Sequence, residues 1–515
     1  MSTKFTSKET LFRNDLVFAC DPKMVSLDSI LVILFMQIRN DGRRVATRIK
    51  KEHTLETIKN ALLQQEKDNH ILGVEANLLA AQDWVRCNLV NLVFRGNSSK
   101  EKVSSLRPMH LESYLMTNLK HCRDYFAADQ LYLMLKEEPD VLNALRDYMR
   151  QGFDTANKAI VNNGQLDLDT VALLHLVKNI QTESRTTTTV RKLEPFLKAQ
   201  AKLYCDDVLR LLTYQDKIPR SVMIEYLRYL NGFHLALYQL KLLQYLPRMV
   251  EQGTREIPDD WSLVIDVTGD LDSSVAPLAC ADMELLLNGL TQYIKATYAI
   301  NIEQMRVRDS IQRDDIDYLL ARLHNPPADT EAYYAMKVDE YLQKYDSDEE
   351  DEKNLVLKKL KLITSSFEQY LSLLVDFKKK YWINYCKQFL TAVAMANSPS
   401  ALIAGGRNRA HERRGVLGPK LMELLVQLLV LKPNDKGGFT SRELSVNQLI
   451  AELRKRYGLI VDGTVEERFK DANVQQQLAF RENVKAFKDK LRQIGFYTDL
   501  SDAGTLQKIR PRYEV

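Results

Sequence analysis

Residues that break, bend or cross-link a chain are scarce in this sequence. It has 19 glycines and 14 prolines in 515 residues. So few breakers, together with long apolar runs at helical spacing, predict a mostly α-helical protein. The six cysteines are far apart and form no CxxC pair. That spacing excludes a zinc ribbon, argues against a disulfide framework and indicates a reducing compartment, so we expect a cytoplasmic protein.

Long hydrophobic segments are also missing. The longest apolar run, Ile30 to Met36, is far shorter than the roughly 20 residues that cross a bilayer. The first residues, MSTKFTSKETLFRNDLVFAC, contain no apolar core of the kind found in signal peptides. We therefore expect no membrane partner and interpret Ile30 to Met36 as part of a buried helix.

The local signatures of common enzymes are absent from the sequence. It contains no GxGxxG, GxxxxGK[ST] or GxSxG motif, and no pair of histidines is spaced as HxxxH or HExxH. Dinucleotide binding, P-loop ATP hydrolysis, α/β-hydrolase chemistry and zinc hydrolysis thus lack their usual motifs. We expect no cofactor and no catalytic metal.

Charge is nearly balanced overall but uneven along the chain. The 72 Lys and Arg residues and 68 Asp and Glu residues give a net charge of +4. From Ser400 to the end there are 21 basic and 14 acidic residues, hence +7, which leaves −3 for the first 399. A basic excess confined to one region is typical of a nucleic-acid contact.

Breaks in the helical pattern predict four segments. We predict an N-terminal helical subdomain over 1–185 and a central helical subdomain over 186–400 with one short strand region near 261–267. A basic linker over 401–415 and a C-terminal domain over 416–515 follow. The polar stretch Thr182 to Val190, TESRTTTTV, is interpreted as a mobile linker or a subdomain boundary between the first two.

The C-terminal run Leu478 to Tyr513 carries the most specific pattern. Its apolar residues recur at helical spacing, and its basic residues Arg481, Lys485, Lys488 and Arg492 recur on a neighbouring face. Gly495 ends the predicted helix. A β-hairpin follows, in whose second strand Lys508, Arg510 and Arg512 alternate and so point to one side.

A basic helix followed by a basic hairpin predicts contact with duplex DNA. A helix fits the major groove, where Arg481, Lys485, Lys488 and Arg492 would reach phosphates or guanine edges and Asn483 could read adenine. The hairpin residues would lie along the backbone or the minor groove. The linker is predicted to form an arm that contacts DNA phosphates through Arg407, Arg409, Arg413 and Arg414.

Helical spacing predicts two earlier helices in this domain, Val416 to Leu431 and Val446 to Tyr457. In this helix order and in the run LRQIGFYTDLSDAGTLQKIRPRY, residues 416–513 resemble a winged-helix domain. With RYGLIVDG before it, the same run is similar to the C-terminal end of accessory proteins from bacterial phage-defence islands, either methylation-associated or phosphorothioation-dependent. The resemblance implies a non-catalytic DNA-binding or adaptor subunit of a multi-protein assembly. Because winged helices also bind proteins, a purely structural adaptor is an alternative.

A second alternative is a metal-dependent nuclease or nucleotide-processing effector. Asp266, Asp270 and Asp272 follow the predicted strand in WSLVIDVTGDLD. Carboxylates at the C-terminal end of a strand are where a magnesium site forms in an α/β enzyme. However, the sequence lacks the alternating strand and helix pattern that would supply a sheet around them, which favours the non-catalytic interpretation.

Overall fold

The computed structural model describes residues 5–48, 53–93, 102–161, 166–178, 183–345, 349–406, 412–435, 437–496 and 508–515, with backbone alone at 47–48 and 183–185. Two compact units interleave along the chain. Unit 1 comprises Met1–Lys23, Leu237–Trp261 and Ala281–Leu390, and unit 2 comprises Met24–Ala236, Ser262–Cys280 and Thr391–Val515. The predicted domain boundaries concern which segments fold on their own, and they stay predictions.

The mainly helical fold class is confirmed, because 57% of the structure is helical. In chain order the described α-helices are α1 (Leu27–Arg39), α2 (Leu55–Lys67), α3 (Leu78–Trp84), α4 (Ala127–Lys136), α5 (Pro139–Met149), α6 (Leu168–Lys178), α7 (Lys198–Leu212), α8 (Arg220–Gln252), α9 (Ala276–Asn288), α10 (Leu290–Arg306), α11 (Ser310–Arg313), α12 (Ile316–His324), α13 (Thr330–Leu342), α14 (Glu350–Leu360), α15 (Ser366–Val393), α16 (Pro419–Leu429), α17 (Val446–Tyr457) and α18 (Val474–Gln493). None of them is both long and apolar enough to span a bilayer.

The described strands are short and pair into small sheets. They are β1 (Arg43–Arg48), β2 (Val90–Val93), β3 (Lys102–Leu106), β4 (Phe153–Asp154), β5 (Ala159–Ile160), β6 (Glu183–Thr189), β7 (Leu263–Asp266), β8 (Ile403–Ala404), β9 (Arg414–Val416), β10 (Leu431–Pro433), β11 (Phe439–Ser441), β12 (Leu444–Ser445), β13 (Leu459–Ile460) and β14 (Lys508–Ile509).

The segment interpreted as a mobile linker is instead a strand. β6 pairs antiparallel with β1, so that interpretation of Thr182 to Val190 is wrong over its described part. Its consecutive threonines are β-branched, which favours extended backbone. β1 is fixed in turn by Arg44, whose guanidinium lies 2.7 Å from Asp124 and 2.5 Å from Asp129.

A four-stranded sheet in unit 2 has the strand order β13-β7-β9-β8. Its centre is β7, which runs parallel to both β13 and β9, while β8 is antiparallel to β9. The expectation that no sheet would form around this strand is wrong. Its strands come from three distant segments of the chain. Pairing of this kind cannot be predicted from the order of strands and helices along the sequence.

The C-terminal helices follow the predicted order. α17 has the predicted bounds, and α18 begins four residues before the predicted start, where Asn473 and Gln476 form a capping box. Gly495 has φ 81°, the left-handed conformation expected after a helix. The strand β14 pairs antiparallel with β12. The predicted first hairpin strand and its turn lie almost wholly in 497–507, outside the described residues.

Unit 1 is built around buried aromatic rings. Phe12 stacks on Trp382 with ring centroids 4.6 Å apart. The indole Nε1 of Trp382 donates to the Tyr298 hydroxyl at 2.7 Å, and Asn14 donates to the Asn301 side chain at 2.7 Å. These contacts fix the N-terminal segment of unit 1 against α10 and α15.

A buried carboxylate joins three helices of unit 2. Asp207 on α7 is fully buried, and its Oδ2 lies 2.9 Å from His234 Nε2 on α8. On α17, the guanidinium of Arg456 and the hydroxyl of Tyr457 both donate to it. Burial raises the pKa of Asp207, but the hydrogen bond from His234 and the charge of Arg456 outweigh it, so the net pKa is lowered.

Asp207→Asn should destabilise unit 2 by about 3–5 kcal/mol, because removing one member of a buried ion pair leaves the other uncompensated. Asp206→Asn is the control: it also removes a carboxylate that faces Arg456, but one that is 36% exposed, so its cost should stay below about 1 kcal/mol. Urea unfolding, with hydrogen exchange of α7 and α17 peptides, measures both. Equal effects of the two variants would contradict this role.

The same contact predicts a pH dependence. Since the pKa of Asp207 is lowered in the folded state, its stabilisation is complete above the pKa of a free aspartate, about 4. It is lost as the pH falls through the lower folded pKa. The difference in stability between the wild type and Asp207→Asn should therefore shrink below about pH 4.

Candidate nucleic-acid interface

The apolar face of α18 is buried as predicted. Phe480, Phe487 and Leu491 have no exposed surface. Phe480 packs in a cluster formed by Val264, Val275, Ala279, Ile460 and Ala479. Gly463 lies directly against this ring, because a Cβ built there would come within 2.2 Å of it. The helix is therefore seated on the four-stranded sheet and on the loop after β13.

One amide fixes the rotation of α18 about its own axis. The side chain of Asn483 is fully buried. Its Nδ2 donates to the carbonyl oxygens of Ile265 and Val461, each at 2.8 Å, and its Oδ1 accepts from the Val267 N–H at 2.8 Å. Asn483 was predicted to read adenine, but its hydrogen bonds are made to the ends of two strands. It anchors the helix and is not available to a base.

The basic face of α18 points away from these contacts. Arg481 and Lys485 are exposed and Lys488 is half-buried. No ion pair joins any of these three cations to another residue in the part of the chain that the structure describes. Arg492, the fourth residue of the predicted set, lies 2.6 Å from Asp489 on the same helix. Three positive charges on successive turns thus have no ion-pair partner among the described residues.

The predicted second hairpin strand is a strand only at Lys508 and Ile509 among its described residues. The segment 508–512 exposes its basic residues, and two of them have partners. Lys508 Nζ lies 2.6 Å from Glu443. Arg512 pairs with Glu423 and also donates to the carbonyl of Ile494 at 2.7 Å. Arg510 is exposed and makes no direct ion pair with a described residue. The exposure of Lys508, Arg510 and Arg512 alternates with buried or half-buried neighbours.

The four arginines of the predicted arm in the basic linker differ in their surroundings. Arg407 and Arg409 lie outside the described residues. Arg413 is half-buried and donates to the Thr391 hydroxyl at 3.0 Å, and burial lowers its pKa. Arg414 is buried, so the prediction that it reaches phosphates is wrong in this structure. As part of β9, its side chain is directed into the protein.

Arg414 binds the Asp266 carboxylate, which the nuclease alternative would need for a metal ion. Asp266 is fully buried, and its Oδ2 accepts from Arg414 Nε at 2.7 Å. Its Oδ1 accepts from the Thr268 hydroxyl at 2.5 Å and from the Gly269 N–H at 3.3 Å. Both oxygens are thereby used within the protein. Asp270 and Asp272 are exposed in the following loop, and no group of three metal-binding side chains occurs among the described residues.

Lys490 is the residue at this site that the sequence analysis missed. It lies on the opposite flank of α18 from the basic face, above Gly269, with burial lowering its pKa and the Asp266 carboxylate opposing that shift. Its spacing of two residues from Lys488 placed it off the predicted stripe. Residues two positions apart point to nearly opposite sides of a helix, so this spacing indicated that Lys490 belongs to a different surface.

Comparison with known proteins covers nearly the whole chain. A family profile with the description methylation-associated defense system protein MAD7 matches residues 7–513. The chain belongs to this family. It is therefore a component of a methylation-associated defence system, and of the two kinds of defence island named from the sequence this match supports the methylation-associated kind. No protein with a curated description matches the chain.

Asn483→Ala should destabilise unit 2 by about 2–4 kcal/mol, because it leaves three buried backbone groups without hydrogen-bond partners. Arg481→Ala, two positions away on the exposed face, is the matched control and should change stability by less than about 0.5 kcal/mol. Chemical unfolding followed by circular dichroism measures the difference. If Asn483→Ala left the stability unchanged, the amide would not be what holds the helix.

Proposed function

We propose that the chain is a non-catalytic subunit of a methylation-associated defence assembly and that it binds duplex DNA through α18. The observation that carries the proposal is the fixed orientation of this helix. Asn483 and the buried face hold one side, and Arg481, Lys485 and Lys488 stand on the other without partners among the described residues.

The order of elements supports a winged-helix arrangement. α16, β12, α17, α18 and β14 follow one another, and the register pairs Leu444 with Ile509. This is the order in which a winged helix places its first strand against its last, with the third helix directed at the major groove. The chain departs from that arrangement by inserting the hairpin β10–β11 after α16 and by contributing β13 to another sheet.

The dimensions and charge of α18 suit a DNA groove. Arg481 and Lys488 are seven residues apart, about 10 Å along a helix, which fits within a major groove about 12 Å wide. The helix has five basic and two acidic residues, a net charge of +3. In the C-terminal segment 508–512, Arg510 is the best placed to reach a phosphate, since Lys508 and Arg512 would first have to release their carboxylates.

The remaining helices would supply the adaptor function. Membership of a defence system suggests a multi-protein assembly, and a large helical body offers surfaces for the other subunits. The nuclease alternative gains no support from the geometry, because Arg414, Thr268 and Gly269 occupy both oxygens of Asp266.

Replacing Arg481, Lys485 and Lys488 together with alanine should weaken binding to duplex DNA and reduce its dependence on salt. Each lost phosphate contact removes about 0.9 from the slope of log affinity against log salt, so the slope should fall by about 2.7. Fluorescence anisotropy of a labelled duplex at several salt concentrations measures both quantities.

The matched control replaces Lys202, Lys217 and Lys432 with alanine. These lysines are exposed elsewhere on unit 2, so the control makes the same change in net charge. It should retain most of the affinity. If both triple variants lost the same affinity, binding would be due to general electrostatic attraction and the proposed interface would be wrong. If neither variant lost affinity, duplex binding by α18 would be refuted.

A further inference from the structure

Three aromatic side chains form an exposed row on α15 of unit 1. Phe377, Tyr381 and Tyr385 are four residues apart and so lie on one face of the helix. Phe377 is 39% exposed and Tyr381 is 42% exposed, and Tyr385 is partly exposed. The core-facing side of the same helix is apolar and buried, with Trp382, Cys386 and Phe389. The row is therefore additional to the aromatic core of unit 1.

The rings of this row are held in place by their neighbours. The centroids of Tyr381 and Tyr385 are 4.4 Å apart, and Tyr381 also packs edge-on against the buried Trp382 at 4.8 Å. Phe377 contacts the buried ring of Phe5 at 5.5 Å. Each ring is thus supported from the protein side while part of its surface stays in solvent.

Lysines flank the row on both sides. Lys378 Nζ lies 4.8 Å from the centroid of Phe377 and 5.5 Å from that of Tyr381. Lys380 is exposed on the other flank. No described residue forms an ion pair with either lysine.

Two acidic residues beside the row are paired with lysines. Asp376 pairs with Lys359 on α14, and Asp21 pairs with Lys23 at 2.7 Å. The exposed face therefore combines ring surfaces with uncompensated positive charge.

We propose that this face, defined by Phe377, Tyr381, Tyr385, Lys378 and Lys380, binds single-stranded nucleic acid. Proteins that bind single strands combine cations, which pair with the phosphates, with aromatic rings on which bases stack. Successive ring-bearing residues are about 6 Å apart along the helix axis, and the ammonium group of Lys378 lies near the rings of Phe377 and Tyr381. Because the rings of Tyr381 and Tyr385 contact each other, they offer a base one shared surface. A strand could then place bases on the rings and a phosphate at the lysine.

The same composition argues against the other occupants of an exposed aromatic face. Lysine is depleted in the cores of protein–protein interfaces, whereas here Lys378 lies against two of the three rings. Duplex DNA keeps its base faces stacked inside the helix, so it would offer the rings no surface. The proposal does not depend on duplex binding by α18, because the two faces belong to different units and would recognise different forms of nucleic acid.

Tyr381→Ala in the full-length chain should weaken binding of a fluorescein-labelled oligothymidylate by about tenfold or more, since stacking on one ring accounts for a loss of that size. Tyr381→Phe keeps the ring and should bind like the wild type. Tyr333→Ala is the matched control, because it removes a tyrosine of similar exposure, 38%, from another helix of unit 1. Anisotropy measures affinity, and thermal melting confirms that each variant is folded.

The double variant Lys378→Gln/Lys380→Gln tests the electrostatic half of the proposal. Two lost phosphate contacts to a single strand should reduce the salt slope by about 1.4. Lys358→Gln/Lys361→Gln removes the same charge from exposed positions on and beside α14 and should leave the slope unchanged.

Unchanged affinity for the single strand in Tyr381→Ala would overturn the proposal. So would a change of oligomeric state in that variant by sedimentation velocity, which would make the face a protein interface. The triple alanine variant of α18 should bind the single strand normally, and Tyr381→Ala should bind the duplex normally. Failure of one site therefore leaves the other open to its own test.

Discussion

The buried amide of Asn483 sets the orientation on which the proposed interface depends. The apolar stripe of α18 directs one side of the helix into the core. Three hydrogen bonds to the ends of β7 and β13 then fix its rotation. In that rotation Arg481, Lys485 and Lys488 face outward, and Lys490 is turned toward Asp266. An exposed cationic face thus follows from a contact that touches no ligand.

The segment RYGLIVDG connects this anchor to the helical body of unit 2. Arg456 and Tyr457 bind the buried carboxylate of Asp207, and Gly458 ends α17 in the left-handed conformation. The strand β13 then joins the central sheet, and Gly463 admits the ring of Phe480. A substitution in this segment would therefore affect the helical body of unit 2 and the C-terminal helices together. The segment thus does more than link two helices.

The sequence predicted features that depend on local periodicity. The helical class, the bounds of α17, the buried face of α18 and the stop at Gly495 all follow from spacing within one segment. The central sheet did not, because β7, β9 and β13 meet only in three dimensions. The roles of Asn483 and Arg414 were missed for the same reason: their partners, Ile265, Val461 and Asp266, are distant in sequence. The sequence around these two residues contains no local signal that separates a buried anchor from a ligand contact.

Lysine footprinting with an acetylating reagent, with and without duplex DNA, tests the central claim most directly. Lys485 and Lys488 stand on the outward face of α18, and Lys490 on the same helix is turned toward Asp266. The account predicts that duplex DNA slows acetylation of Lys485 and Lys488 and leaves Lys490, Lys358 and Lys361 unchanged. Equal rates at Lys485 and Lys488 in the presence and absence of bound DNA would contradict it.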